Sequence, residues 1–225
     1  MIKEKLASYR TLGEALAAAP AEQPFATMWD PAADLSETTV TFGEFLELAN
    51  AYAALYEHHG VKRTDTIVLV MPQSLALMAA FAGAISLGAI PTILAYPTFK
   101  VEPAKYRYGL TGVTKNLSAR LIVIDHSFPE ALHDCVAGMQ AVRLDPANVP
   151  RLQTASAMNS SEADEVAFIQ HSAGTTGLQK GVALTHRSVL NQLVQLAEAL
   201  DLRSNDRIVS RRNSLGNYWR QKRKT

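Results

Sequence analysis

Residues 172–181 hold the side chains and the backbone best suited to chemistry in this chain of 225 residues. They combine three glycines, two adjacent threonines and a lysine in the order Ser172-Ala173-Gly174-Thr175-Thr176-Gly177-Leu178-Gln179-Lys180-Gly181. A glycine-rich turn can aim several backbone N–H groups at one point, and such a concavity binds phosphate oxygens. Hydroxyl groups add further donors, and the charge of Lys180 offsets that of a polyphosphate. The segment therefore predicts a polyphosphate-binding loop.

This loop differs from the P-loop of nucleoside triphosphatases. Neither Gly-Lys-Thr nor Gly-Lys-Ser is present, and no predicted helix directly follows Lys180. The helix-dipole mechanism of anion binding is therefore not expected here. A glycine-rich turn that only joins two strands is the simpler alternative, and two or three glycines alone would favour it.

Alternating strands and helices precede the loop. Residues 66–71 and 92–94 are short, β-branched apolar runs of the kind that parallel sheets bury on both faces. Between them, residues 74–87 are rich in alanine and begin with a serine suited to cap a helix. Residues 66–99 carry no charge and are long enough to cross a bilayer. Because proline and glycine divide this stretch, we expect a strand–helix–strand unit and not a membrane span.

Other segments continue the alternation. Thr41 and Glu44 have the spacing of a capping box, which predicts an amphipathic helix over 43–59. The remaining predictions are strands over 121–125, 141–144, 166–171 and 182–185, a weaker helix near 129–138, a loop over 153–164 and a helix from His186 to about Leu200. The predicted fold class is α/β, with a mostly parallel sheet flanked by helices.

Composition narrows the class of protein. With 48% hydrophobic and 19% charged residues, the chain is neither disordered, collagen-like nor a disulfide scaffold. The single cysteine, Cys135, cannot form an internal disulfide, and the first residues lack the apolar run of a secretory signal. A cytoplasmic location is therefore expected. Residues 211–225 carry six basic residues and no acid, which leaves 16 basic and 21 acidic residues before them.

Two histidine-containing segments are candidate metal sites. His58-His59 and His133-Asp134-Cys135 lack partners at zinc-binding spacing, so we expect surface or helix-face positions and no metal site. His186 is expected to cap or orient the start of its helix and not to act as a general base. No Ser/His/Asp arrangement is evident.

The loop and its surroundings resemble the adenylate-forming (AMP-binding) enzymes, which include acyl-CoA synthetases, fatty-acyl-AMP ligases, nonribosomal adenylation domains and luciferases. Their signature is similar to Ser-Ser/Thr-Gly-Thr-Thr-Gly-x-Pro-Lys-Gly, followed by Val and a later His, as in Val182 and His186. The matching loop positions are Ser172, Gly174, Thr175, Thr176, Gly177, Lys180 and Gly181. At a background of about 7% per residue, a chance match of this kind has a probability on the order of 10⁻⁸ per starting position. Residues 40–45 and 87–91 resemble two further motifs of the family.

The resemblance implies ATP-dependent activation of a carboxylic acid to an acyl adenylate, with Mg²⁺, followed by transfer to a thiol. It implies that the ATP phosphates are held by Ser172, Gly174, Thr175, Thr176, Gly177, Lys180 and Gly181, with Lys180 as the catalytic residue. The implied acceptor is coenzyme A or the pantetheine of an acyl carrier protein. Residues 94–98 look more like those of acyl ligases, which implies a fatty or other acyl acid. Ala173 and Gln179 depart from the signature without removing a main donor.

The resemblance also implies that residues 1–210 are the N-terminal portion of a large adenylation domain, truncated before the adenine, ribose, hinge and C-terminal lysine motifs. Residues 206–210 fit the next strand of the family, whereas residues 211–225 match nothing that the family predicts. We hypothesise that this basic tail is an out-of-frame or otherwise foreign end. An RNA-binding tail that stacks bases on Tyr218 and Trp219 is the alternative, and nucleic acid is not the expected partner. For the whole chain, the alternative to a ligase is a non-catalytic nucleotide-binding fragment or half of a split enzyme.

Overall fold

The computed structural model describes residues 2–30, 36–97, 102–136, 140–145, 149, 161–171, 180–203, 206–210 and 218–220. The helices in these ranges are α1 (Ile2–Ala7), α2 (Leu12–Ala17), α3 (Phe42–His58), α4 (Leu75–Leu87), α5 (Pro103–Asn116) and α6 (His186–Ala199). The strands are β1 (Pro24–Asp30), β2 (Ser36–Thr41), β3 (Thr66–Val70), β4 (Ile90–Ile93), β5 (Leu121–Asp125), β6 (Ala141–Leu144), β7 (Val166–His171), β8 (Gly181–Thr185), β9 (Ile208–Ser210) and β10 (Tyr218–Arg220).

The central sheet has six strands in the order β6-β5-β3-β4-β7-β8. Neighbouring strands from β6 to β7 run parallel, and β8 runs antiparallel to β7 at the edge. The prediction of an α/β fold with a mostly parallel sheet is confirmed. Two antiparallel pairs, β1 with β2 and β9 with β10, lie outside this sheet.

The uncharged stretch over residues 66–99 contains the β3–α4–β4 unit. This is the strand–helix–strand unit that its proline and glycine residues predicted. Ser74 caps α4 by accepting a hydrogen bond from the Leu77 N–H, and Gly88 ends the helix in the left-handed region at φ +76°. Glycine is favoured at this end because it has no Cβ to clash in that conformation. In the described ranges, no helix combines the length and apolar character that crossing a membrane requires.

Both faces of the sheet are covered, so consecutive residues of the inner strands enter different cores. Ile67 and Leu69 of β3 pack in the core with α3 and α4, while Val68 and Val70 pack in the core with α5. This alternation follows from the two-residue period of a strand. It explains why the central strands read as continuous apolar runs.

Local sequence signals were correct in some places and wrong in others. The capping box is confirmed: the Glu44 N–H donates to Thr41 Oγ1 at 3.2 Å, and the Thr41 N–H donates to Glu44 Oε2 at 2.8 Å. The helix predicted near 129–138 is instead a short 3₁₀ helix, Glu130–Cys135. Helices α1, α2 and α5 and the β1–β2 hairpin were not predicted. Most of the loop predicted over 153–164 lies outside the described residues.

Candidate phosphate-binding site

The predicted loop leaves the sheet at the carboxyl end of β7 and returns into β8. Because β7 is parallel to β4, this end lies at the edge of the sheet where α/β proteins bind ligands. His171 and Gly181 are paired in the antiparallel register, so the two ends of the loop are held side by side. The predicted phosphate-binding residues Ser172, Gly174, Thr175, Thr176 and Gly177 lie outside the described residues. Lys180 is described, is exposed and immediately precedes β8.

A buried threonine supports the β7 end of the loop. Thr92 on β4 is fully buried, and its hydroxyl donates to the Ile169 carbonyl oxygen at 2.8 Å. The same Oγ1 lies 2.9 Å from Nδ1 of His171. Burial lowers the pKa of His171, which favours a neutral imidazole at this position.

Gly181 is required by its packing as well as by the signature. A Cβ atom at this position would lie 2.9 Å from Cγ2 of Ile169 and 3.0 Å from Nε2 of His171. The His171 ring therefore occupies the space that a side chain at position 181 would need. Sequence reasoning assigned Gly181 to phosphate binding and missed Thr92 and His171. The available signal was a hydroxyl in an otherwise apolar strand and a histidine directly before the glycine-rich loop.

His186 lies at the start of α6 and is almost completely buried, with 3% of its surface exposed. Its Nδ1 accepts a hydrogen bond from the Leu12 N–H at 3.1 Å, which joins α6 to the first turn of α2. The cap of α6 is Thr185, whose hydroxyl accepts from the Ser188 N–H. His186 thus does not cap its own helix, and it anchors α2. Burial lowers the pKa of His186 in spite of the nearby Glu165.

The other candidate ligands take part in local packing. The rings of His58 and His59 meet edge to face with centroids 5.5 Å apart. His133 Nε2 lies 2.7 Å from a guanidinium nitrogen of Arg143, and the Cys135 thiol is free and buried. Among the residues that the structure describes, no group of three or more His, Cys, Asp or Glu side chains is arranged to hold a metal ion.

A second polar cluster lies at the same edge of the sheet, beyond β4 and β5. Asp125, buried at the end of β5, accepts hydrogen bonds from the Ser127 N–H at 2.8 Å and from the Ser127 hydroxyl. Tyr96 joins the cluster through its hydroxyl, 2.9 Å from Ser127 Oγ. These bonds order the turn after β5 and the segment after β4, two of the segments that border the carboxyl edge.

The fold and the position of the loop define an α/β protein with a glycine-rich segment at the carboxyl edge of a parallel sheet. The sequence profile of the family described as AMP-binding enzyme matches residues 17–211. Because this match covers most of the chain, the protein belongs to the AMP-binding enzyme family. The resemblance to adenylate-forming enzymes is therefore confirmed.

Curated relatives include plant and bacterial CoA ligases. The chain is 30% identical to 4-coumarate–CoA ligase 1 of Petroselinum crispum over 169 residues, which cover 70% of this chain and 30% of the relative. It is 30% identical to 3-hydroxybenzoate–CoA/4-hydroxybenzoate–CoA ligase of Thauera aromatica over 171 residues, covering 69% and 31% of the two chains. The chain thus spans about a third of the length of these relatives.

Solved structures share the fold at low sequence identity. A fatty acyl-adenylate ligase from a study of the Escherichia coli and Legionella pneumophila enzymes superposes with a TM-score of 0.76 at 22% identity, covering 89% of this chain and 37% of that one. The L. pneumophila fatty acyl-adenylate ligase solved with acyl adenylate and pyrophosphate gives a TM-score of 0.72 at 18% identity, covering 89% and 34%. The described residues therefore have the fold of about a third of an adenylate-forming enzyme.

Proposed function

We propose that this chain provides the phosphate-binding part of an adenylate-forming ligase, which uses ATP to activate a carboxylic acid for transfer to a thiol. One observation carries the proposal: in a chain of the AMP-binding family, the signature of residues 172–181 connects β7 and β8 at the carboxyl edge of the sheet. The same edge is the usual ligand-binding side of an open parallel sheet.

In this proposal, the loop holds the β- and γ-phosphates of ATP. The residues assigned to this task are Ser172, Gly174, Thr175, Thr176, Gly177, Lys180 and Gly181. Backbone N–H groups and hydroxyls supply the hydrogen bonds, and the ammonium group of Lys180 supplies positive charge. Its exposed position beside β8 supports this role, because a phosphate ligand can reach it.

The reaction moves negative charge onto the leaving pyrophosphate. A carboxylate oxygen of the acid bonds to the α-phosphorus, and the bond between that phosphorus and the oxygen bridging to the β-phosphate breaks. Donors already directed at the β- and γ-phosphates stabilise this charge without rearranging during the reaction. Lys180 acts here as the catalytic residue, by electrostatic stabilisation. Mg²⁺ neutralises further phosphate charge when bound with ATP, and we assign no residue of this chain to it.

The proposed acid is a fatty or other acyl acid, and the proposed acceptor is coenzyme A or an acyl carrier protein. The relatives named as CoA ligases for aromatic acids and the structural neighbours named as fatty acyl-adenylate ligases support this class. The free, buried Cys135 supports a reducing compartment such as the cytoplasm.

A second candidate function is nucleotide or phosphate binding without catalysis, as a fragment or as half of a split enzyme. Both functions require the loop to bind polyphosphate, and they differ only in whether adenylate forms.

Two measurements on the full chain test the proposal. Calorimetry with pyrophosphate tests the loop, and ATP–pyrophosphate exchange with a panel of carboxylic acids tests the chemistry. We expect pyrophosphate binding that Lys180→Ala and Thr176→Val weaken about tenfold or more, while Lys105→Ala, at an exposed lysine on α5, leaves it unchanged. Acid-dependent exchange supports the ligase, and binding without exchange supports the second candidate. Absence of pyrophosphate binding refutes both.

A further inference from the structure

Thr92 makes an unusual pair of contacts for a residue within a parallel sheet. It is fully buried between Pro91 and Ile93 on β4, where apolar residues usually lie. Both contacts of its hydroxyl go to β7, one to the Ile169 carbonyl oxygen and one to His171 Nδ1. The hydroxyl therefore links the strand that precedes the predicted loop to the middle of the sheet.

The hydrogen positions follow from the number of hydrogens available. A threonine hydroxyl has one hydrogen, and the Ile169 carbonyl oxygen can only accept. If Thr92 donates to that oxygen, it must accept from His171, so the proton of the neutral imidazole lies on Nδ1. With the opposite tautomer, two half-buried acceptors would compete for the single hydroxyl hydrogen of Thr92, and one of them would lose this hydrogen bond.

This hydrogen bond also fixes where the His171 ring lies. With Nδ1 held by Thr92, the Nε2 edge of the ring faces Gly181, 3.0 Å from the position that a Cβ atom would occupy. Gly181 pairs with His171 across the two strands. The residues at the two ends of the predicted loop are thus linked to each other and to β4. We call this group of three residues, Thr92, His171 and Gly181, the loop base.

We propose that the loop base fixes the two strand ends between which residues 172–180 bind polyphosphate, and that His171 is a positioning residue for this ligand. This inference rests on the proposed function, since it assigns how the same site is organised. The connection over residues 172–180 has nine residues, two of them glycines. Any chain segment loses conformational entropy when it is ordered around a ligand. Fixing both ends beforehand reduces that loss and so increases affinity.

Three variants of the full chain separate hydrogen bonding from packing. Thr92→Val removes the hydroxyl at nearly constant shape, and His171→Phe keeps a ring but removes the donor. His171→Asn retains an N–H near the Nδ1 position and serves as the conservative rescue. Thr114→Val is the matched control, because Thr114 is another buried threonine with a hydroxyl bond, to the Leu110 carbonyl oxygen in α5.

We expect Thr92→Val and His171→Phe each to weaken pyrophosphate binding about tenfold, with the double variant no weaker than either single one. His171→Asn should remain within about threefold of the wild type, and Thr114→Val should bind pyrophosphate normally even though it unfolds at a lower temperature. Wild-type affinity in Thr92→Val and His171→Phe, additive losses in the double variant, or an equal loss in Thr114→Val overturns the inference.

A measurement without ligand distinguishes this inference from the proposed function. Amide hydrogen exchange of residues 172–185 should become at least about fivefold faster in Thr92→Val and His171→Phe and stay unchanged in Thr114→Val. If the wild type does not bind pyrophosphate, the proposed function fails, and the exchange result alone decides whether the loop base orders the loop. Unchanged exchange in all variants refutes the loop base.

Discussion

The contact between α3 and α4 leads to a quantitative prediction, because it depends on a glycine. A Cβ atom at Gly83 of α4 would lie 2.4 Å from the Ala49 carbonyl oxygen and 3.0 Å from the Ala53 nitrogen, both backbone atoms of α3. Backbone atoms cannot rotate away as a side chain can. The Gly83→Ala variant therefore requires the two helices to separate by about 1 Å to restore an ordinary contact distance.

Two opposing effects set the size of the change. Alanine in a helix is favoured over glycine by about 1 kcal/mol. Overpacking in a core costs about 1–3 kcal/mol, and a gap of about 1 Å removes up to half of the dispersion energy of the contacts on both sides of it. Because Ala49, Ala80 and Ala84 are fully buried near this crossing, little space is available for relaxation. The overpacking cost should therefore be near the upper end of its range, about 3 kcal/mol, and after the gain of about 1 kcal/mol from helix propensity we expect a net loss of about 2 kcal/mol.

The control is Gly109 in α5, where an added Cβ atom meets nothing within 4 Å. Gly109→Ala should stabilise the protein by about 0.5–1 kcal/mol through helix propensity alone. Urea unfolding measures both variants, and the melting temperature of Gly83→Ala should fall by about 4–8 °C. If Gly83→Ala is as stable as Gly109→Ala, the close α3–α4 contact is refuted.

Three further predictions concern buried groups and the basic end. Burial lowers the folded-state pKa of His186, so the unfolded state binds more protons and the stability of the protein should fall as the pH drops below about 6.5. Urea midpoints from pH 5 to 8 should show this loss in the wild type and a smaller loss in His186→Asn, whose side chain cannot titrate but can still accept from the Leu12 N–H. Equal pH profiles of the two proteins would contradict the prediction. Tyr56→Phe should lower the free energy of unfolding by about 1 kcal/mol, since the Tyr56 hydroxyl donates to the Ala80 carbonyl oxygen at 2.9 Å. Tyr52→Phe should leave the free energy of unfolding unchanged, since the buried Tyr52 hydroxyl has no hydrogen-bond partner among the described residues. The reverse order of the two variants in urea unfolding would contradict this assignment. Deleting residues 211–225 should leave pyrophosphate affinity unchanged in calorimetry, and a salt-dependent RNA shift that disappears with the deletion would instead favour the RNA-binding tail.

The sequence alone determined the features that depend on residues close together along the chain. The β3–α4–β4 unit follows from the position of Ser74 and Gly88 at the ends of one alanine-rich run. The start of α3 follows from Thr41 and Glu44, three residues apart. Capping, turn conformation and strand periodicity are short-range effects, so a single sequence is enough to predict them. The signature of residues 172–181 is equally local, and it was sufficient to indicate the family.

Some helices were not predicted correctly because their local sequence signals are weak. Helix α5 buries only Leu110, Val113 and Thr114, so its apolar face is too narrow to produce a clear helical pattern. The segment 129–138 has a helical composition, but only Glu130–Cys135 forms a short 3₁₀ helix. In both cases packing against the sheet decides the outcome, and the sequence pattern does not.

Only the tertiary structure decided which distant residues meet at the candidate site. Thr92 and His171 are 79 residues apart, and His186 and Leu12 are 174 apart. Their contacts exist because β4 lies next to β7 in the sheet and because α2 meets the start of α6. Strand order and helix docking depend on the summed burial of many residues, which no short pattern contains. The sequence therefore predicted a phosphate-binding loop, while the fold determined which residues meet at the two ends of that loop.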